Sequence, residues 1–128
     1  MTVTLTVSEE DLEEVALSVY DQMADVEWRC PACGHVQRAR ETVVGDAGLD
    51  VDALRSRAAS RCTNPGQATI EPCTYSADAD YYSPPLIVVR DGFHFRCLPL
   101  ADENLMAEVG KRGSRSERGI RIVHSDLL

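Results

Sequence analysis

Four of the five cysteines fall between positions 30 and 73, and their spacing limits the fold more than any other feature. Cys30 and Cys33 are separated by two residues, Cys62 and Cys73 by ten, and 28 residues lie between the pairs. The chain has 128 residues, enough for one domain with a small module folded into it. Its hydrophobic content is 44%, but aromatics contribute only 5%, so the core is aliphatic and modest. A chain of that kind gains from a cross-link. No basic, apolar, small-residue order reads as a secretory signal at the N-terminus, which favours a metal over a disulfide framework.

Zn²⁺ takes four ligands in a tetrahedron, with sulfur at about 2.3 Å. A Cys-x2-Cys turn supplies two thiolates because its backbone curls both side chains toward one point. Pro31 stiffens the entry, and Gly34 turns without a Cβ clash. The second pair is looser, but Asn64-Pro65-Gly66 inside its spacer can fold back and return Cys73 to Cys62.

The segment Trp28-Arg-Cys-Pro-Ala-Cys-Gly-His35 resembles the first knuckle of a zinc ribbon, an aromatic followed by Cys-Pro-x-Cys-Gly. The resemblance implies one structural Zn²⁺ held by Cys30 and Cys33, with Cys62 and Cys73 as the second pair. It covers about 45 residues. The second pair departs from the two-residue spacing that most ribbons repeat. His35 or Cys97 in place of one ligand is an alternative. A second alternative is a redox pair at Cys30 and Cys33. Trp28 before the motif and Ser83-Pro-Pro-Leu-Ile-Val-Val-Arg-Asp-Gly92 after it are similar to parts of a thioredoxin-like protein. Against that stand the missing apolar strand before Cys30, the poor helix signal after Cys33, and the lack of a role for Cys62 and Cys73.

The surrounding pattern is α+β: a small mixed sheet with two to three helices and a zinc-ribbon-like insert. Residues 1–128 read as a single domain, and 27–76 as the zinc-binding insert. Thr2 to Val7 alternate strictly, predicting a strand with Val3, Leu5 and Val7 on one face. Ser8 caps a helix over 9–25 whose apolar stripe runs Leu12, Val15, Ala16, Val19, Met23, Val26. Two short strands flank the Cys30–Gly34 turn. Asp50 begins a helix over 51–61 with Val51, Leu54 and Ala58 inward. Ala68 to Tyr75 reads as an edge strand broken by Pro72. Leu86 to Leu98 is a hairpin around Asp91-Gly92. Asp102 caps a helix ending near Gly110, and Gly119 to His124 is a final strand.

Charge is uneven. Residues 1–28 hold eight acids and no base, so the whole net charge of −8 sits there. The segment 111–121 holds five bases (Lys111, Arg112, Arg115, Arg118, Arg121) and reads as a flexible loop that could track nucleic-acid phosphates, or pair with the acidic helix. Arg38, Arg40, Arg55, Arg57 and Arg61 could assist it near the insert. Four thiolates leave a metal no position for water, so an enzyme is not expected. The expected function is a zinc-stabilised interaction or adaptor protein, a small component of a larger cellular or viral assembly. It would meet a protein partner through the acidic helix 9–25 or the hairpin 86–98. The alternatives are a nucleic-acid-binding regulator and a thiol oxidoreductase. No apolar run approaches the roughly 20 residues of a membrane span, so no membrane partner is expected, and the expected location is cytoplasmic or virion-associated.

Overall fold

The Thr-Val alternation near the N-terminus becomes β1 (Val3–Ser8) in the computed structural model, which describes residues 3–42, 52–80 and 83–117. Ser8 closes the strand and caps α1 (Glu9–Ala16), its side chain accepting from the Asp11 N–H at 3.1 Å. Three acids in the first turn suit the positive end of that helix. Leu12, Val15 and Ala16 are buried.

The helix ends at Ala16 rather than running to 25. Ser18 turns its hydroxyl onto the Val15 carbonyl at 2.6 Å, competing with the helix ladder. The following Val19 and Tyr20 are poor helix formers, and Tyr20 N–H closes the turn on Ala16 at 2.9 Å. Val19, expected on the inward stripe, is exposed, whereas Val26 is fully buried. A short 3-10 turn over Met23–Asp25 leads into β2 (Glu27–Arg29).

β2 pairs antiparallel with β3 (Val36–Arg38) across the Cys30–Gly34 turn, as expected. A one-turn α2 (Ala39–Thr42) follows. The expected helix 51–61 is split into a 3-10 turn over Ala53–Arg55 and α3 (Arg57–Ser60). Asp52 caps the first piece, accepting from Leu54 N–H at 3.2 Å; Asp50 and Val51 lie outside the described residues. Ser56 is extended and interrupts the helix. Residues 68–75 form no strand; Gln67 and Ile70 close a tight turn on each other instead. Pro72 has no N–H to give a ladder, and side chains 67–72 are all exposed, so neither face drives pairing.

The hairpin forms as expected from β4 (Leu86–Arg90) and β5 (Phe93–Cys97). Asp91 and Gly92 both take positive φ, 48° and 85°, as a two-residue turn requires. Asp102 caps α4 (Glu103–Arg112), accepting from Asn104 and Leu105 N–H. The chain then returns as β6 (Ser114–Glu117), antiparallel to β1. The basic segment is therefore no loop over 111–117: Lys111 and Arg112 end a helix, and Arg115 lies in a strand. Gly113, between them, allows the reversal. Arg118, Arg121 and the expected strand 119–124 lie outside the described residues.

Among the described residues the main sheet is mixed, with order β5-β4-β1-β6 and β1 parallel to β4. The β2–β3 pair forms a second, two-stranded sheet. Helices α1 and α4 pack together against β1. One hydrophobic cluster joins Val7, Leu12, Leu86 and Val88 of the frame to Val26, Trp28, Leu54 and Ala58 of the insert. Two backbone bonds fasten β2 to the chain after β5: Arg29 N–H to Pro99 O and Ala101 N–H to Glu27 O, both 2.9 Å.

Arg90, at the end of β4, grips Glu9 at 3.0 Å and Asp52 at 2.7 Å, and lies 5.2 Å from the Phe95 ring centre. It joins sheet, α1 and insert in one ion-pair group. Its guanidinium holds the Asp52 carboxyl below the ordinary range. Glu13 beside it is raised, by burial first and Glu9 second, and partly offsets this. A carboxyl depressed on folding contributes stability above its ordinary pKa of about 4 and loses it as pH falls through the depressed value. We expect Arg90→Met to cost about 1–2 kcal/mol at neutral pH, after solvent screening of these part-exposed groups. The gap to the parent should narrow below about pH 4. Urea midpoints between neutral and acid pH check both points.

Candidate metal centre

The first half of the site is built by the β2–β3 turn. Cys30 N–H donates to His35 O and Gly34 N–H to Cys30 O, both 2.9 Å, which curls the backbone around the Cys30 sulfur. Ala32 N–H points at that sulfur from 3.4 Å. The second half repeats the device: Asn64 N–H points at Cys62 Sγ, also from 3.4 Å. Cys73 is returned by its N–H bond to Asn64 O at 3.2 Å.

All four sulfurs lie within 4.8 Å of one another. Two contacts cross between the segments: Cys33 to Cys62 at 3.5 Å and Cys30 to Cys73 at 3.8 Å. A tetrahedron with metal–sulfur bonds of about 2.3 Å has edges of about 3.8 Å. The cluster is thus positioned to hold a metal ion, as the spacing suggested. None of the four is in a disulfide. Neither His35 nor Cys97 joins the group. Cys97 is buried in the core, and burial pushes its thiol up to about 12.

The four environments differ. Cys30 and Cys62 are buried, and desolvation raises both thiols above the usual range. Cys33 is exposed at the tip of the turn. The backbone of His35, then the side-chain amide of Asn64, holds its thiol down to about 6. Asn64 Nδ2 reaches Cys33 Sγ at 3.6 Å, so one residue serves a sulfur from each half. Cys62 and Cys73 also border an open cleft of about 420 Å³ beside Arg57, Arg61 and Tyr75.

Gln37 is the residue that sequence reasoning missed. It sits on β3 with 1% of its surface exposed. Its amide donates to Ala58 O at 2.8 Å and Arg61 O at 2.6 Å, and its carbonyl accepts from Thr63 N–H and hydroxyl, both 2.9 Å. Gln37 therefore pins the backbone on both sides of Cys62 to the hairpin that carries Cys30 and Cys33. A lone Gln in a charged stretch offers no signal; only alternation with exposed Arg38 hints that it faces inward.

Among the described residues most of the basic side chains named as phosphate contacts meet a carboxylate. Arg112 is engaged by Glu14 at 3.0 Å, Glu108 at 3.3 Å and Asp11 at 3.7 Å. Arg40 binds Asp25 at 2.7 Å, Arg38 lies 3.9 Å from Glu27, and Arg55 lies 3.4 Å from Asp52. Arg61 stands 4.0 Å from Asp78, and Lys111 3.8 Å from Glu108. Arg38, Arg40, Arg55 and Arg61, all near the insert, thus each meet an acid.

Fold and site together define an α+β protein with a four-cysteine cluster suited to a metal ion. Comparisons with protein families, curated proteins and solved structures find no match to this chain. No helix among the described residues is long and apolar enough to cross a membrane.

Two substitutions test how the site is held. Gln37→Leu keeps bulk but leaves two carbonyls and an N–H without their partner, an expected loss of about 2–4 kcal/mol. It should also weaken metal binding about 10–100-fold, as loss of a supporting hydrogen-bond partner does. Chemical denaturation and a metal-competition titration read the two separately; lost stability with unchanged affinity would confine Gln37 to the fold. Gly66 has φ of 75°, and a Cβ there would stand 2.3 Å from Ile70 O. Gly66→Ala should prevent the 64–73 loop from closing and weaken metal binding, while leaving the core intact by circular dichroism.

Proposed function

We propose that this chain is a zinc-stabilised interaction module, non-enzymatic, working as a small component of a larger assembly. The observation that carries the reading is the closed set of four sulfurs. A tetrahedral all-sulfur site favours Zn²⁺ or iron. We take the ion as Zn²⁺, on the resemblance of the first knuckle to a zinc ribbon; iron in the same four-sulfur geometry is the alternative that metal analysis separates. With Cys30, Cys33, Cys62 and Cys73 as ligands, every position is filled and none is left for water. Such a metal joins segments and does no chemistry on a substrate.

Two observations weigh against the alternatives. The Cys30–Cys33 turn joins two antiparallel strands, and no helix begins at Cys33 as a thioredoxin-like dithiol site requires. The arginines offered as phosphate contacts are largely engaged by carboxylates. The surface supports a protein partner instead: Leu17 and Val19 are exposed at the end of α1, and Phe93 is 70% exposed at the hairpin. Large apolar side chains left in water at a loop tip suit a protein contact more than a phosphate backbone.

Elemental analysis of the purified chain should give about one zinc, and Cys33→Ser or Cys62→Ser should lose it. Iron in its place would overturn the metal assignment. A photo-crosslinking residue at Val19 or Phe93, introduced in the native host, should yield protein adducts. Adducts with nucleic acid alone would overturn the interaction reading.

A further inference from the structure

Two sulfur contacts at the centre run between the two segments, and only one of the four sulfurs stands at an exposed tip. Cys33 is open to solvent, Cys30 and Cys62 are buried, and Cys73 is half-buried. Across the two segments, Cys33 Sγ is in contact with Cys62 Sγ at 3.5 Å. Cys30 and Cys73 form the other close contact, at 3.8 Å. Each contact links the β2–β3 turn to the 62–73 loop. We propose that Cys33 is a site of two-electron oxidation by a hydroperoxide, resolved by Cys62, and that a second oxidation joins Cys30 to Cys73. The cross-link made by the metal is thereby replaced by two disulfides between the same two segments.

The chemistry balances with hydroperoxide as the named oxidant. The Cys33 thiolate attacks a peroxide oxygen: a sulfur–oxygen bond forms, the oxygen–oxygen bond breaks, and the departing oxygen leaves as water or alcohol after taking a proton. The Cys62 thiolate then attacks the sulfenic sulfur. A sulfur–sulfur bond forms, the sulfur–oxygen bond breaks, and hydroxide leaves as water with a second proton. Two thiolates lose two electrons and the peroxide gains them. A second peroxide repeats the sequence at Cys30 and Cys73. A metal held by four thiolates loses two ligands in the first round and is released.

Fold geometry favours crossed pairing over a Cys30–Cys33 bond. Ala32 N–H holds the Cys30 sulfur, and Gly34 N–H holds its carbonyl, so the turn presents both sulfurs outward toward the other segment. Gln37 keeps that segment in place through Ala58, Arg61 and Thr63 without any help from the metal. Loss of the ion therefore leaves the partner sulfurs near one another. The release of metal rests on the zinc reading above; the pairing of sulfurs does not.

The test treats the purified full chain, and a Cys97→Ser version that removes the buried fifth thiol, with measured equivalents of hydrogen peroxide. A chromogenic zinc chelator follows metal release, and a non-reducing tryptic map follows the thiols. Cys30 and Cys33 share the peptide 30–38, and Cys62 and Cys73 share 62–90. Crossed disulfides join these two peptides, whereas vicinal ones leave them separate. The expected result is joined peptides, zinc released in step with peroxide, and an unchanged far-ultraviolet spectrum. Separate peptides, or Cys33 driven to sulfinic acid without a disulfide, overturn the proposal while leaving the zinc reading intact. A chain purified without metal sinks the zinc reading, and its tryptic map after peroxide still decides the pairing. The Cys30→Ser/Cys73→Ser chain, which retains the first pair alone, should still give joined peptides; if it does not fold, fragmenting the parent's joined peptides between Cys30 and Cys33 decides, and Cys33 bonded to Cys73 overturns the proposal.

Discussion

Between Cys62 and Ala77 no side chain is buried. Hydrophobic burial, which positions the rest of this chain, reaches those fourteen residues only through Tyr75, half-buried against the core, so most of their path is fixed by other means. The four-sulfur cluster supplies one fixed point and the buried amide of Gln37 supplies another. Fixing the backbone of each residue costs on the order of 1–2 kcal/mol. A loop anchored by Tyr75 alone on its apolar side meets that cost mainly through hydrogen bonds and whatever joins the four sulfurs. The short bonds Gln67–Ile70, Cys73–Asn64 and Cys62–Tyr75 close the loop on itself, and the sulfurs attach it to the hairpin.

The hairpin is in turn well seated. Trp28 is fully buried and is the largest side chain to be so, although its indole N–H has no partner among the described residues. An unsatisfied buried donor costs about 1–3 kcal/mol, and burying an indole more than offsets it. The main-chain bonds to Pro99 and Ala101 extend β2 onto the segment after the main hairpin, and Leu98 N–H reaches Ala59 O at 2.7 Å. Both halves of the cysteine cluster thus stand on elements that share the core of the main sheet. Gln37 seats the backbone on both sides of Cys62 against the hairpin independently of any ion, while Cys73 is tied back through Asn64.

Features set by a few neighbouring residues were legible in the sequence. The Ser8 and Asp102 caps, the Asp91-Gly92 turn and the Cys30–Gly34 turn each need only local geometry. The cysteine cluster was legible because thiols have few uses in such numbers and because Cys-Pro-x-Cys-Gly has one backbone shape. What failed depended on distant packing. The apolar period of α1 runs on through Val19, but no surface waits to cover Val19, and the Ser18 hydroxyl ends the ladder first. Residues 68–75 look extended by composition, yet a strand needs a partner edge and both faces of this one are in water. The segment 111–121 looked flexible because Gly and Ser interrupt its bases. Over 111–117 its structure comes from β1, whose open side accepts β6, and from Arg112, whose partners lie on α1 a hundred residues earlier.

That last point changes the meaning of the charge pattern. An N-terminal stretch with eight acids and no base suggests a face that repels phosphate and attracts basic partners. In the fold, Glu9 meets Arg90, Asp11 and Glu14 meet Arg112, Asp25 meets Arg40, and Glu27 lies near Arg38. The acids of the first segment and the bases of the later ones are largely each other's partners. Individually such exposed pairs contribute little, about 0–1 kcal/mol. Their distribution matters more: each joins the N-terminal segment to a different later element, so they select one arrangement of the pieces. The same pairing removes acids from the face offered to a basic partner and arginines from the face offered to nucleic acid. Among the described residues the large apolar side chains left exposed are Leu17 and Val19 beyond α1, Ile70 in the 62–73 loop and Phe93 at the hairpin. On the reading proposed above, a partner would meet these by shape and apolar contact, with the paired charges setting the arrangement of the pieces rather than the contact.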